Sequence, residues 1–307
     1  MGPTASGKTR IAVELARHHP FEIISVDSAL VYKGLDIGSG KPDTETLKLA
    51  PHRLIDIRDP SQAYSAAEFR EDALQAMSEI HTKGKIPLLV GGTMLYFKVL
   101  RDGLAAMPAA DPKIRQEILE LGETQGWDIV HQRLAKIDPE SAQRIHPNDP
   151  QRLQRALEVY ELTGKTMTQL QLEEKDAKKN QPSIDFDLRF SAIFPDERAT
   201  LHKHIETRFH QMLAAGFVDE VRNLKARNDL HADFPAIRSV GYRQVWEHLD
   251  GQYDYETMIE KALAATRQLA KRQLTWLRSW PNLSTFDSED STIVEKCLKF
   301  MDIYPNY

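Results

Sequence analysis

The sequence predicts an α/β fold: a P-loop NTPase-like parallel sheet flanked by helices, with an all-helical insertion domain. Three observations carry this. A phosphate-loop motif opens the chain, strand-like and helix-like segments alternate over the first third, and strand signals vanish after residue 111. Residues 9–18 read as a helix. Residues 22–26 (EIISV) read as a short strand, and 66–83 as a long amphipathic helix. Residues 86–90 (IPLLV) are continuously apolar, the pattern of a strand buried on both faces.

The domain reading is a core in two pieces, residues 1–110 and 186–307, interrupted by a helical insertion over 111–185. Within the insertion, helical stretches at 112–125, 127–136 and 150–163 are separated by Asp-Pro and His-Pro breaks. Residues 173–182 are polar and Lys-rich and read as an exposed loop. Residues 188–194 (LRFSAIF) read as a returning strand, and helices follow over 197–277. Beyond Pro281 come a strand-like piece and a last helix over 292–301. A phosphate loop normally hangs from a buried strand, and Met1 stands directly before this one. A central strand ahead of Gly2 is therefore expected to be missing from the sequence.

Composition narrows the function. The 307 residues are 41% hydrophobic and 28% charged, the mix of a soluble globular protein, with no apolar run of the ~20 residues that spans a bilayer. No signal segment opens the chain, so no membrane partner and a cytoplasmic location are expected. One cysteine, Cys297, makes neither an internal disulfide nor a cysteine-rich metal site. With a net charge of −5, any nucleic-acid surface has to be a local patch.

Residues 2–9 (GPTASGKT) match G-x-x-x-x-G-K-[ST] in full. Successive backbone N–H groups curling into a nest, a helix N-terminus and the Lys8 ammonium all favour phosphate oxygens, and Thr9 offers a hydroxyl to Mg²⁺. The motif does not say which phosphate ester is held.

Asp27, Ser28, Ala29 and Leu30 follow the EIISV strand, at the strand end where ligands sit in open α/β sheets. Asp27 reads as a Mg²⁺ contact through water, as a general base, or as a turn cap. Gly91-Gly92-Thr93 ends the IPLLV strand. Thr93 presents a hydroxyl at the same edge or caps the next helix. Glycines stand where an ATPase usually carries a Mg²⁺-binding Asp, and no N-K-x-D motif is present, which weakens an ATPase reading.

Three basic segments stand out in this acidic chain. Residues 266–280 (TRQLAKRQLTWLRSW) hold Arg267, Lys271, Arg272 and Arg278 and no acid. Trp276 and Trp280 add flat surfaces at i and i+4. The second is Arg238, Ser239, Val240, Gly241, Tyr242 and Arg243. The third is Gln151, Arg152, Leu153, Gln154 and Arg155. Alone, the first reads more readily as a solvated basic face with core tryptophans, and the other two read as helix-start charges; three together are better evidence for RNA than any one.

In this order these segments closely resemble the bacterial tRNA dimethylallyltransferases. The resemblance rests on GPTASGKT (2–9), SVDSALVYKGLDIGSGKP (25–42), APHRLIDIRDPSQAYSAAEFR (50–70) and LLVGGTMLYF (88–97). It continues through RIHPNDPQRLQRALEVY (144–160), RFHQML (208–213), RSVGYRQ (238–244) and RQLAKRQLTWLR (267–278). It covers nearly the whole chain except a divergent tail past Pro281. The resemblance implies transfer of a dimethylallyl group from dimethylallyl diphosphate to N6 of the adenosine 3′ of the anticodon. A monomer is the expected state, though the sequence does not fix it.

The resemblance further implies that Gly2, Thr4, Ala5, Ser6, Gly7, Lys8 and Thr9 hold the diphosphate, with Mg²⁺ at Thr9. Asp27 would be the general base, and Asp27, Ser28, Ala29 and Leu30 would meet the target adenine. Arg208 would neutralise diphosphate, and Thr93 would support adenine or diphosphate. Contacts to the tRNA anticodon stem-loop would come from Arg115, from Gln151, Arg152, Leu153, Gln154 and Arg155, and from Arg238, Ser239, Val240, Gly241, Tyr242 and Arg243. Lys271, Arg272, Gln273, Leu274, Thr275, Trp276, Leu277 and Arg278 complete that set. The rivals are an ATP-dependent kinase and an RNA-binding module with a regulatory P-loop.

Overall fold

A computed structural model describes residues 1–104, 107–178, 184 and 186–301. The described chain is α/β, with a small parallel sheet and many helices, and forms two compact units, residues 1–100 with 187–307 and residues 101–186. In order, the first unit begins α1 (Lys8–His18), β1 (Phe21–Val26), α2 (Thr44–Leu49), β2 (His52–Arg53), α3 (Ala66–Thr82), β3 (Ile86–Gly91) and α4 (Met94–Asp102), the last running into the second unit. The second unit holds α5 (Pro112–Gln125), α6 (Trp127–Ile137), α7 (Pro139–Arg144), α8 (Pro150–Thr163) and α9 (Met167–Lys178). The first unit resumes with β4 (Ser191–Phe194), α10 (Arg198–Ala214), α11 (Phe217–Lys225), α12 (Tyr242–Leu249), α13 (Tyr255–Arg278), β5 (Ser284–Asp287) and α14 (Ile293–Phe300).

Strands β2, β1 and β3 lie side by side in that order, all parallel, with Ser25 opposite Val90 and Ile23 opposite both Leu88 and His52. Strands β4 and β5 form a second parallel pair. Met1 joins it through the backbone: its ammonium donates to Ser191 O (2.7 Å) and its carbonyl accepts from Ile193 N (2.9 Å). The fully buried strand is the central β1. The IPLLV strand, expected to be buried on both faces, is largely half-buried, because β3 is the edge of its sheet among the described strands.

Local chemistry sets the helix starts. Ser65 and Glu68 form a reciprocal capping box at α3. In the helical unit, the Asp-Pro pairs are N-caps: Asp111, Asp138 and Asp149 each accept from backbone N–H groups of the first turn, with proline following. The segment expected as a loop over 173–182 is helical as far as Lys178, since Glu, Lys and Ala are good helix formers whatever their polarity. Its remaining residues, 179–182, lie outside the described residues.

The largest core of the first unit joins α10–α13 to the loop after β1: Val31, Tyr32 and Leu35 pack with Phe209, Phe217, Tyr242 and Met258. Leaving β1, the chain is thus pinned to the helical layer, which fixes the loop that follows Asp27. The helical unit has its own core, including Val130, Leu134, Leu153 and Leu157.

Candidate active site

The Gly2–Thr9 segment is bent by residues of positive φ: Ala5 at 59° and Gly7 at 77°, Gly7 preceding α1 directly. Alternation of this kind turns successive N–H groups toward one side. No acid sits in the first turn of α1, so the positive end of the helix is left uncompensated. Gly2 is required by crowding, since a Cβ there would stand 2.4 Å from Ile193 O. Lys8 Nζ donates to Pro3 O (3.1 Å), folding the side chain back over the loop. Burial pulls Lys8 down to about 8; the Asp27 carboxylate opposes this and Arg208 adds to it.

A buried glutamine braces the loop. Thr4 N donates to Gln273 Oε1 (2.9 Å), while Gln273 Nε2 donates to Gly92 O (2.8 Å). One side chain on α13 therefore ties the loop to the end of β3.

Asp27 follows the last residue of β1, and its Oδ1 accepts from Ala29 N (2.8 Å) and Leu30 N (3.4 Å). Both described bonds use one oxygen, so the turn-cap role and a chemical role for the other oxygen are compatible. Thr93 Oγ1 accepts from Ser28 N (3.0 Å) and lies 3.4 Å from Ser28 Oγ. The ends of β1 and β3 are thus laced together, helped by Gly91, where a Cβ would meet Val26 O at 1.9 Å.

Arg208 on α10 reaches the same place. Its Nη2 donates to Ser39 O (3.3 Å), and burial holds its pKa below the ordinary guanidinium range, opposed by Asp27. Gly40 has φ 65°, and a Cβ there would lie 1.7 Å from Arg208 Nη2, so only glycine lets the guanidinium settle against this loop. The loop is held from behind by Glu220, whose carboxylate accepts from Asp36 N, Ile37 N and Gly38 N (3.0, 2.7 and 3.1 Å).

Thr4, Lys8, Asp27, Ser28, Thr93, Arg208 and Gln273 line one cavity of about 530 Å³ in the first unit. Lys8, Arg208, Arg238 and Arg272 face it, with Asp27 as the one carboxylate, beside Thr9, Thr93 and Trp276. A second recess of about 620 Å³ is lined by residues 5–10, Lys41 and Arg208. Lys8, Thr9, Gly40 and Arg208 line both.

The remaining expected residues divide. Arg238 lines the cavity and is exposed. Ser239 and Val240 are half-buried there, and Gly241 and Tyr242, both buried, line its inner wall, where Tyr242 also packs in the core. Arg243 is exposed and pairs with Glu247 at 2.8 Å. On α13, Lys271, Arg272, Thr275, Trp276 and Arg278 are exposed. Leu277 is buried and Leu274 packs on the core, so these two side chains turn away from the surface expected to meet RNA, whereas Gln273 is buried but lines the cavity. Of the two readings of Trp280, a flat outer surface or a core tryptophan, the structure selects the core: it is buried against Phe190 (5.2 Å), because α13 ends at Arg278 and the chain turns inward.

In the helical unit, Gln151 and Arg152 are exposed, but Leu153 is wholly buried in the core and cannot reach RNA. Gln154 Nε2 donates to Arg115 O (2.8 Å). Arg115 and Arg155 both bind the buried Glu158 carboxylate, at 2.8 and 2.6 Å. Burial pushes Glu158 up, and the two guanidiniums together with the Asp111 N–H reverse this and hold it below the ordinary carboxylate range.

Two groups in the cavity wall were not expected. Ser25 Oγ and His52 Nε2 are buried with no hydrogen-bond partner among the described residues, and both residues line the cavity. Nothing in their local sequence marks them.

Residues 30–280 match the family model described as IPP transferase. The structure is similar to that of a tRNA isopentenylpyrophosphate transferase from Bacillus halodurans, 35% identical over 98% of this chain and 93% of that one, with a TM-score of 0.70. A tRNA isopentenylpyrophosphate transferase from Staphylococcus epidermidis is 33% identical over 99% and 98%, with a TM-score of 0.69. A eukaryotic dimethylallyltransferase described as acting on tRNA is 25% identical over 99% of this chain and 79% of its own, with a TM-score of 0.78. A family match over most of the length, with near-complete coverage of two relatives, is decisive: the chain belongs to the IPP transferase family.

Proposed function

We propose that this transferase moves a dimethylallyl group from dimethylallyl diphosphate to N6 of the adenosine 3′ of the anticodon in tRNA, releasing diphosphate. At the coarser level the chain is a tRNA prenyltransferase by family. The observation that carries the finer reading is one cavity uniting Lys8, Arg208 and Thr9 with Asp27 at the ends of β1 and β3.

Diphosphate is a leaving group whose charge grows as the C1–O bond breaks. Lys8, Arg208 and the N–H groups of residues 4–9, read as a P-loop, stabilise that charge. The lone pair of N6 is delocalised into the ring and makes a weak nucleophile. As the N6–C1 bond forms, the N6 proton passes to the Asp27 carboxylate. Thr93 and Ser28 fix the segment carrying Asp27. The adenine reaches this depth by leaving the stack of the anticodon loop, at a cost of a few kcal/mol returned by contacts in the pocket. Arg238, Arg272, Lys271 and Trp276 are the exposed groups offered to the phosphates and bases around it.

The donor set suits Mg²⁺. Thr9 offers a neutral hydroxyl, and no cluster of three His, Cys, Asp or Glu exists among the described residues. That is the environment of an ion that keeps several waters and is held mainly by phosphate oxygens. Held by Thr9, it would supply further neutralisation of the diphosphate.

The test is a mass measurement. Protein, unmodified tRNA, MgCl₂ and dimethylallyl diphosphate are incubated, and the tRNA nucleosides are weighed after digestion. A prenylated adenosine that is lost in Lys8→Ala is expected. No mass shift, with ATP consumed instead, would return the protein to the kinases.

A further inference from the structure

The wall of the cavity under α1 holds two polar groups that the reaction outlined above does not use. Ser25 is 2% exposed, and its Oγ has no partner among the described residues; the same holds for His52 Nε2. The register places them together. Ser25 is opposite Val90, and Ile23, two residues before Ser25, is opposite His52, so in parallel pairing all four side chains share one face of the sheet. That face is covered by α1, since Ala12 and Val13 pack with Ile23 and Val90. Thr9 lies three and four residues before them, on the same side of α1, and lines the same cavity.

The chemistry of the pair is set by its neighbours. His52 Nδ1 stands 2.7 Å from Ala50 O. A carbonyl only accepts, so Nδ1 carries the proton, and in a neutral ring Nε2 is a bare acceptor. Burial holds the ring below the ordinary imidazole range and thus neutral. An acceptor cannot bind a diphosphate oxygen, which is also an acceptor. It can bind a water polarised by a cation, which is a strong donor.

We propose that Ser25 and His52 hold the water shell of the divalent cation that accompanies the diphosphate, outside the inner ligand Thr9. This rests on the reading of Thr9 as the cation's protein ligand. It divides the cavity by chemistry: cationic donors at Lys8 and Arg208 take phosphate oxygens, and the neutral Ser25 hydroxyl and the His52 Nε2 acceptor under α1 take the hydrated ion.

The experiment is calorimetric titration of the full chain with inorganic pyrophosphate, in saturating MgCl₂ and in EDTA. The readout is the gain in affinity that Mg²⁺ confers. Variants are Ser25→Ala, His52→Asn and His52→Gln, with Thr9→Val for the inner ligand. Asn retains an amide N–H for Ala50 O and puts nothing at Nε2, whereas Gln places a polar atom near it. Ser25→Ala and His52→Asn are each expected to reduce the Mg²⁺-dependent gain about tenfold, with affinity in EDTA unchanged and part of the gain restored in His52→Gln. Ser25→Ala removes a single oxygen, so the test stands even if the histidine variants do not fold. If Thr9→Val loses the gain while Ser25→Ala and His52→Asn keep it, the cation reading holds and this proposal falls. If the wild type shows no Mg²⁺-dependent gain, both fall.

Discussion

Tyr242 Oη donates to Glu220 Oε1 at 2.6 Å, and the same Oη accepts from Ser39 N at 3.1 Å. With three more backbone N–H groups on the Glu220 carboxylate, α11 and α12 hold residues 36–39 as a rigid rim, and Ser39 O holds Arg208. Burial and the Glu220 carboxylate push the Tyr242 phenol far above its ordinary range, so it stays a donor at any working pH. Tyr242→Phe leaves Ser39 N without its partner and should cost about 1–3 kcal/mol in urea unfolding. Glu220→Gln should raise KM for the diphosphate donor while leaving tRNA affinity unchanged. Equal loss of both would make Glu220 a general stability residue rather than a positioning one.

Gln273 predicts a charge-specific defect. In Gln273→Glu the donor facing Gly92 O becomes an acceptor, and a buried carbonyl is left unpaired. A stability loss of about 1–3 kcal/mol is expected, with weaker pyrophosphate binding as the Thr4 end of the loop loosens. Because a protonated carboxyl donates again, the defect should ease as pH falls. A pH-independent defect would dismiss the bridge as its cause.

Lys8 sets an alkaline limit. Its value of about 8 in the folded protein lies below the ordinary 10.5. The unfolded chain therefore binds more protons between these values, and stability should rise with pH across that window. Under the proposed role of Lys8 function runs the other way, since the charged form is the one that would hold the diphosphate. kcat/KM for the donor reports the free enzyme and should fall through one ionisation above about 8. The profile of kcat should fall only at higher pH, because bound diphosphate favours the cation. A kcat/KM that stays flat well past that value would show Lys8 fully charged in the free enzyme.

Much of this site is legible in the sequence because its signals are local. A short run of spaced residues announces the Gly2–Thr9 loop, and an acid after a short β-branched strand announces Asp27. Gln273 and Glu220 are unreadable in these roles, since their partners lie 269 and 182–184 residues away in sequence. The basic run around Gln273 points to the RNA face and hides a phase in which this side chain turns inward. Trp280 parts from Trp276 for a related reason: i,i+4 spacing has meaning only while the helix lasts, and α13 stops at Arg278. Ser25 and His52 become a pair only through strand register.

The exposed cations of α13 predict a salt effect. Lys271 and Arg272 stand on the surface, and Arg272 also lines the cavity. Removing both should weaken tRNA binding and flatten the slope of log K against log salt by about 0.7–0.9 for each phosphate no longer neutralised. Leu153→Ala in the helical unit should instead lower stability by about 2–5 kcal/mol, as expected for a wholly buried leucine. A double variant whose salt slope matches the wild type would remove Lys271 and Arg272 from the RNA interface.

Asp27 can be tested without disturbing its turn. An asparagine keeps an oxygen for Ala29 N and Leu30 N, so the cap survives in Asp27→Asn while the basic carboxylate is lost. Asp27→Ala removes both. If Asp27 takes the N6 proton, Asp27→Asn should lower the single-turnover rate by about 10²–10⁴ at unchanged tRNA affinity. It should melt as the wild type does, whereas Asp27→Ala melts lower. Pyrophosphate should bind Asp27→Asn at least as tightly as the wild type, because an anion near Lys8 and Arg208 has gone. Near-normal turnover in Asp27→Asn, with Asp27→Ala impaired, would reduce Asp27 to the cap of its turn and leave the proton acceptor to be found elsewhere in the cavity.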